Sequence, residues 1–186
     1  MRMQPAVCLL LLGLLCLPAC GERPAGGASA PPAQTSMEPA ETLWEALIPP
    51  HWDPQALFKD VDLAAFDDND PRAQDLLLRL RQTWDNAPVN MEMQGRQIRI
   101  PGYVVPLDPQ ADGVREFLLV PYFGACIHTP PPPANQIIHV RMAQPLDLHA
   151  MSTVWVSGRL EVLRSETEMG KAGYQVREAQ VRPYAD

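Results

Sequence analysis

From Gln97 onward, apolar and polar side chains alternate with a period of two, the repeat of a strand that buries one face. Five segments carry this pattern: Ile98–Val105, Glu116–Val120, Ile137–Met142, Thr153–Val162 and Tyr174–Val181. Gly102 and Gly158 fall inside long strands, where glycine marks a bulge or a sharp coil. Upstream the period is helical. Asp70-Pro71 is a helix start, an Asp cap followed by proline at the first helical position, and Ala73, Leu76, Leu77, Leu80 and Trp84 follow at helical spacing until Asn86-Ala87-Pro88. A shorter helix over Glu41–Ile48 places Leu43, Trp44 and Leu47 on one side and stops at Pro49-Pro50. Helices first and glycine-coiled strands afterwards predict a mostly β, α+β fold: a small OB-like five-stranded barrel with the N-terminal helices packed on it. The polar stretch Arg164–Gly173 reads as a mobile turn between the last two strands.

The first residues follow neither period. Arg2 precedes a run of 12 apolar residues, Ala6–Leu17, which is long enough for a signal-peptide core and too short to span a bilayer as a helix. The run ends in Leu17-Pro18-Ala19-Cys20, which resembles the lipobox of bacterial lipoproteins and makes Cys20 the expected site of lipidation. Lipid on Cys20 would hold the chain to a membrane. Gly21, rather than Asp, follows it, which by lipoprotein sorting rules favours the outer membrane, facing the periplasm. Of the 20 residues Gly21–Ala40, 14 are Gly, Pro, Ala or Ser, the composition of a flexible tether. The expected organisation is a lipoprotein signal peptide over 1–19, a lipidated Cys and linker over 20–40, and one globular domain over 41–186.

Composition narrows the function. The chain has 186 residues, 21 of them proline against 11 glycine, and a net charge of −7, which moves to −8 once the signal peptide and its Arg2 are removed. An acidic chain lacks the electrostatic footprint of a nucleic-acid binder, so the single-strand binding that an OB-like barrel suggests is not expected. Cys8 and Cys16 would leave with the signal, so Cys126 would be the only free thiol, in an oxidising compartment where an unpaired thiol is protected, metal-bound or reactive.

Candidate chemistry gathers around that thiol. Cys126 and His128 are two apart, so an extended segment would point both to one face, half of a soft-metal site for zinc or Cu(I). His139, on the next strand, is the nearest third ligand, and His51 and His149 are less well placed. Pro130, Pro131, Pro132 and Pro133 form a rigid polyproline II rail between the thiol and that strand. Asn135 and Gln136 are suited to pegging the loop by hydrogen bonds. Two other readings stay open. Cys126 packs as a small buried hydrophobe, with His128 satisfied by backbone. Alternatively, Cys126 with His128 or His139, oriented by Asn135 or Asp147, forms a thioester in a hydrolase or transferase. No helix start follows Cys126 to lower its pKa, which weighs against the last, and no organic cofactor is expected. Asp67, Asp68 and Asp70 lack the glycine and closing glutamate of an EF-hand, and Met91 and Met93 suit packing better than copper.

The run Leu119-Val120-Pro121-Tyr122-Phe123-Gly124-Ala125-Cys126-Ile127-His128-Thr129, followed by Pro130–Pro133 and Ala134-Asn135-Gln136, resembles the hallmark of a bacterial lipoprotein family classed as a domain of unknown function. WEALIPP, from Trp44 to Pro50, and PGYVVPL, from Pro101 to Leu107, are similar to the same family, and the resemblance covers roughly residues 42–184. Members tend to be encoded beside permease and ATPase components linked to metal traffic, especially zinc. The resemblance therefore implies a metal-handling role, or an accessory of an envelope ABC-type transporter or other metal-binding partner. A purely structural interaction module, with the proline rail and Tyr122-Phe123 as its docking surface, is the third class.

Overall fold

The computed structural model describes residues 39–53, 59, 70–108 and 113–184. The expected signal peptide, Cys20 and most of the tether, together with Asp67 and Asp68, lie outside the described residues. The long alternating segments form β1 (Gln97–Pro106), β2 (Val114–Val120), β3 (Ile138–Leu146) and β4 (Thr153–Glu161), and four short strands follow: β5 (Ser165–Thr167), β6 (Gly170–Ala172), β7 (Tyr174–Val176) and β8 (Gln180–Pro183). β1 pairs antiparallel with β2 along Tyr103–Pro106 and with β4 along Gln97–Tyr103. β2 pairs antiparallel with β3, β3 pairs parallel with β7, and β7 returns antiparallel to β4. That circuit closes a five-stranded barrel in the OB order, with β8 extending β4 at Val154–Ser157.

Closure demands sharp coiling, and the two strand glycines lie where it happens. A side chain at Gly102 would meet Leu119 Cγ and the Val120 carbonyl oxygen at 2.8 Å each. At Gly158, whose φ is +159°, it would meet Val176 Cγ1 at 2.6 Å. The interior is filled by the inward residues of every long strand, among them Ile98, Ile100, Val104, Phe117, Leu119, Val140, Val156 and Leu160. The expected fifth strand, Tyr174–Val181, is broken into β7 and β8, because Glu178 takes a left-handed φ of 53°.

The N-terminal segment closes one end of the barrel, though not as the expected two-turn helix. A single 3-10 turn, Trp44–Leu47, inserts Leu47 into the core and leaves Leu43 61% exposed. Long-range polar bonds hold it: Thr42 N donates to the Arg99 carbonyl at 2.7 Å, and Trp44 Nε1 to the Pro101 carbonyl at 2.7 Å. Tyr174, fully buried, donates its hydroxyl to the Leu47 carbonyl at 2.6 Å and accepts from Asn90 N at 2.6 Å.

The helix α1 (Pro71–Asp85) starts where expected, with Asp70 Oδ1 accepting from Arg72 N at 2.8 Å. Its packing differs from expectation. None of its 15 residues is buried, and Leu77 and Leu78 are 62% and 64% exposed. Arg164 instead grips the helix end, donating to the carbonyls of Asp85, Asn86 and Ala87 at 3.2, 3.3 and 2.7 Å, the acceptors a helix C-terminus leaves open. The stretch expected as a mobile turn is therefore ordered. Arg164 begins it, and β5 and β6 pair as a hairpin from Ser165↔Ala172 to Thr167↔Gly170.

Removing the Tyr174 hydroxyl would leave a carbonyl and an N–H in the core without their partner. Tyr174→Phe should lower the unfolding free energy by about 1–3 kcal/mol with an unchanged denaturant slope, measured by urea unfolding.

Candidate functional site

The segment between β2 and β3 covers the outer face of the barrel and forms a second layer. Val105, Leu118, Val120, Ala125, Ile137 and Ala172 are buried in it, with Tyr103, Leu107, Cys126, Met151 and Met169 packed at its margin. The turn in this layer is tied to one oxygen. The Gly124 carbonyl accepts from Ile127 N, His128 N and Thr129 N at 3.3, 2.8 and 3.1 Å, and from Thr129 Oγ1 at 3.3 Å. Cys126 therefore sits at a left-handed φ of 64° inside a tight turn. The expectation that Cys126 and His128 share one face of an extended segment fails for this reason, since alternation holds only where the chain is extended. Cys126 lies against the apolar layer and His128 is exposed.

Burial pushes the Cys126 thiol up to about 11, and the positive charge of Arg81 offsets this only in part. A neutral thiol is a poor nucleophile and a poor ligand at neutral pH. His139, the expected third ligand, is on β3 and is engaged elsewhere. His51 is exposed, and His149 is 84% exposed beside Asp147. Among the described residues no three His, Cys, Asp or Glu side chains are gathered as a metal site would require. Zinc or Cu(I) as a resident ion does not fit this donor set.

The rail and the amide pair have definite structural roles. Pro132 is buried, and Gly170 of the β5–β6 hairpin lies against Pro131, where a side chain would meet Pro131 Cβ at 3.2 Å. Pro133 leads into a buried 3-10 turn, Ala134–Gln136. Asn135 Nδ2 donates to the Pro88 carbonyl at 2.8 Å, Gln136 Nε2 to the Trp44 carbonyl at 2.9 Å, and the Ala134 carbonyl accepts from Gly173 N at 2.7 Å. These bonds tie the layer to the N-terminal segment and to the hairpin. Beside the exposed His128 and Thr129, the layer presents three large apolar side chains outward: Phe123 is 64% exposed, Tyr122 42% and Ile127 39%, with Phe123 edge-on to Tyr103 at 5.8 Å.

A second constellation lies on the outer face of β2 and β3. His139 is 3% exposed. Its Nε2 is 2.5 Å from Glu116 Oε1 and its Nδ1 is 2.9 Å from Ser165 Oγ. Arg141 Nε and Nη2 reach the same Glu116 oxygen at 3.1 and 3.0 Å. Burial alone would raise the Glu116 carboxyl, but the hydrogen bond from Arg141, the charges of His139 and Arg141 and the His139 hydrogen bond together hold it below the usual range. Burial dominates at His139 and lowers its pKa despite the neighbouring carboxylate. Glu116, Arg141 and Ser165 escape a reading of the sequence. Alternation shows that Glu116 and His139 face outward, but only the register, with Glu116 opposite Arg141 and Leu118 opposite His139, makes them neighbours.

With the geometry in place, comparison with known proteins decides the family. The sequence model described as "Protein of unknown function (DUF3299)" matches residues 44–183. The chain belongs to the DUF3299 family. A crystal structure of a DUF3299 family protein from Pseudomonas aeruginosa is similar over 80% of this chain and 97% of that one, with 35% identity and a TM-score of 0.62. No curated protein matches the chain. The DUF3299 match spans the N-terminal plug, the barrel, the proline rail and the hairpin together.

Two measurements test this electrostatic picture. A thiol whose pKa is about 11 is almost wholly protonated at pH 8, so Cys126 should react with a disulfide reagent roughly a hundredfold more slowly in the folded protein than in the unfolded chain. The Glu116–His139 pair should make stability acid-sensitive. Lowered in the folded state, Glu116 contributes stability above its unfolded value and loses it as pH falls through the folded one. His139, also lowered, leaves the unfolded chain to take up the proton first below its ordinary value of 6.5. Both terms therefore lower the melting temperature on acidification from pH 7, and His139→Gln should remove the part of that fall that sets in just below pH 6.5.

Proposed function

We propose that this protein is a lipid-anchored periplasmic lipoprotein that serves as an accessory of an envelope ABC-type transporter, docking on it through the loop Tyr122–Ile127. The observation that carries the reading is the contrast within one layer. Its inner side is fixed by the buried Pro132 and long-range amide bonds, while Phe123, Tyr122 and Ile127 stand 64%, 42% and 39% exposed. Large apolar side chains held in place and in contact with water are the anchors of a protein interface. The fixed backbone lowers the ordering cost of binding.

The partner class comes from the resemblance, whose members tend to be encoded beside permease and ATPase components. Lipid on Cys20, with a tether reaching about 25 Å root-mean-square, would hold the domain close to the membrane. In this reading zinc or copper is the transporter's cargo and not a resident ion, because Cys126, His128 and His139 are in three different settings. In this reading the anchor is the lipid on Cys20, which follows the apolar run Ala6–Leu17.

The test is a photo-crosslinking amino acid placed at position 123 in cells. It should give an adduct with the permease component of an ABC-type transporter, identified by mass spectrometry. Cys20→Ser should release the protein into the periplasmic soluble fraction and abolish that adduct, and Tyr122→Glu should abolish it while the protein stays in the membrane. Elemental analysis of protein purified without chelator should find substoichiometric zinc and copper. A stoichiometric metal, or a position-123 adduct confined to soluble proteins, would overturn the reading.

A further inference from the structure

We propose that Ser165 is an acyl-accepting nucleophile, activated by His139 with Glu116 as the orienting carboxylate, and that its substrate class is a carboxylic ester with an apolar acyl group. The argument begins with proton bookkeeping at the buried imidazole. A neutral imidazole has one donor nitrogen and one acceptor nitrogen. Glu116, held as a carboxylate by Arg141, can only accept, so Nε2, 2.5 Å away, carries the hydrogen. Nδ1 is then an acceptor, and the Ser165 hydroxyl at 2.9 Å must donate to it. This arrangement, a hydroxyl donating to an imidazole that in turn donates to an ionised carboxylate, is what a general base needs to activate a hydroxyl. The two ring nitrogens have exchanged the places they hold in the serine-protease pattern, but the direction of proton flow is the same.

The surroundings favour an acyl substrate. Ser165 is partly exposed at the start of β5, whose only strand neighbour among the described residues is β6. One edge of β5 is thus left without a strand among the described residues. Leu118, paired with His139, and Ala172, paired with Ser165, are buried members of the apolar layer, so the neighbours of the two polar residues across the strands are apolar.

In the step proposed, Ser165 Oγ bonds to the ester carbonyl carbon as its proton passes to His139 Nδ1. Glu116 stabilises the imidazolium. The bond from that carbon to the alkoxy oxygen breaks, and the leaving alcohol takes the proton from Nδ1. Water then attacks the acyl-serine with the same proton route. The products are a carboxylic acid and an alcohol, and Ser165 is regenerated.

A fluorophosphonate probe tests this directly, since attack by Ser165 forms an O–P bond and expels fluoride. Full-length protein should give a near-stoichiometric adduct on the Ser165 peptide by mass spectrometry, and the urea-unfolded chain should give none. Ser165→Ala should abolish the adduct. Glu116→Gln and His139→Gln should slow its formation at least about tenfold, with the melting temperature of each variant establishing that it is folded at the assay temperature. Hydrolysis of p-nitrophenyl butyrate should fall in the same order. Labelling of Ser165 no faster than of Ser152 or Ser157, or an undiminished rate in folded Glu116→Gln, would overturn the proposal and leave the network as a clasp holding the hairpin to the barrel.

Discussion

The rest of the structure depends on how β1 divides its length between two partner strands. Gln97–Tyr103 pairs with β4 and Tyr103–Pro106 with β2, so the sheet turns through itself at a single position where both ladders meet. The turn is possible because residue 102 has no side chain: Leu119 and the Val120 carbonyl occupy the space a Cβ would need. Closure removes the sheet edges on this side, and it also leaves only one interior to fill. Leu47 and Met93 complete that interior cluster, and Val105, Leu118, Val120, Ala125, Ile137 and Ala172 form a separate one outside the barrel wall. The outward-facing Val105, Leu118 and Val120 of β1 and β2 are the floor of that second layer.

The second layer is built without long strands, so it lacks the ladder of backbone bonds that fixes the barrel. Side-chain amides substitute for that ladder. Asn135 bonds the Pro88 carbonyl 47 positions away and Gln136 bonds the Trp44 carbonyl 92 positions away, which joins three distant segments at one buried turn. The family-like motifs WEALIPP and PANQ are thus two halves of the same contact. Four consecutive prolines serve the same end from the unfolded side, since each restricts the conformations that folding must remove, by about 0.4–1 kcal/mol where its φ suits the fold.

The barrel was legible in the sequence because its signal is local. Period-two alternation gave the long strands, and the glycines within them marked the coil. The Asp70 cap likewise gave the start of α1. What was not legible is set by long-range register. Nothing in the spacing of Glu116, His139, Arg141 and Ser165 brings them together; the pairing of β2 with β3 and the fold-back of the hairpin do. The Cys-x-His pair misled for the opposite reason. Its spacing carries information only in an extended chain, and the left-handed Cys126 turns the chain instead. The helical leucines misled because amphipathicity shows that a face exists but not that the same chain covers it.

The proline rail links the exposed apolar loop to the hairpin that carries Ser165. On one side it continues the turn that displays Phe123 and Ile127, and on the other Pro131 supports Gly170, the residue that pairs with Thr167 at the far end of the hairpin from Ser165. The hairpin has only two short strands, too few to be stable alone in water. It is held by contacts at its ends and side: Pro131 against Gly170, Ala134 bonding Gly173, Arg164 on the end of α1, and His139 on Ser165. The imidazole therefore does more than occupy a buried position. Its ring is fixed between a carboxylate and a hydroxyl on a hairpin that the rail supports at its far end, which gives the proposed proton path from Ser165 to Glu116 a defined geometry before anything binds.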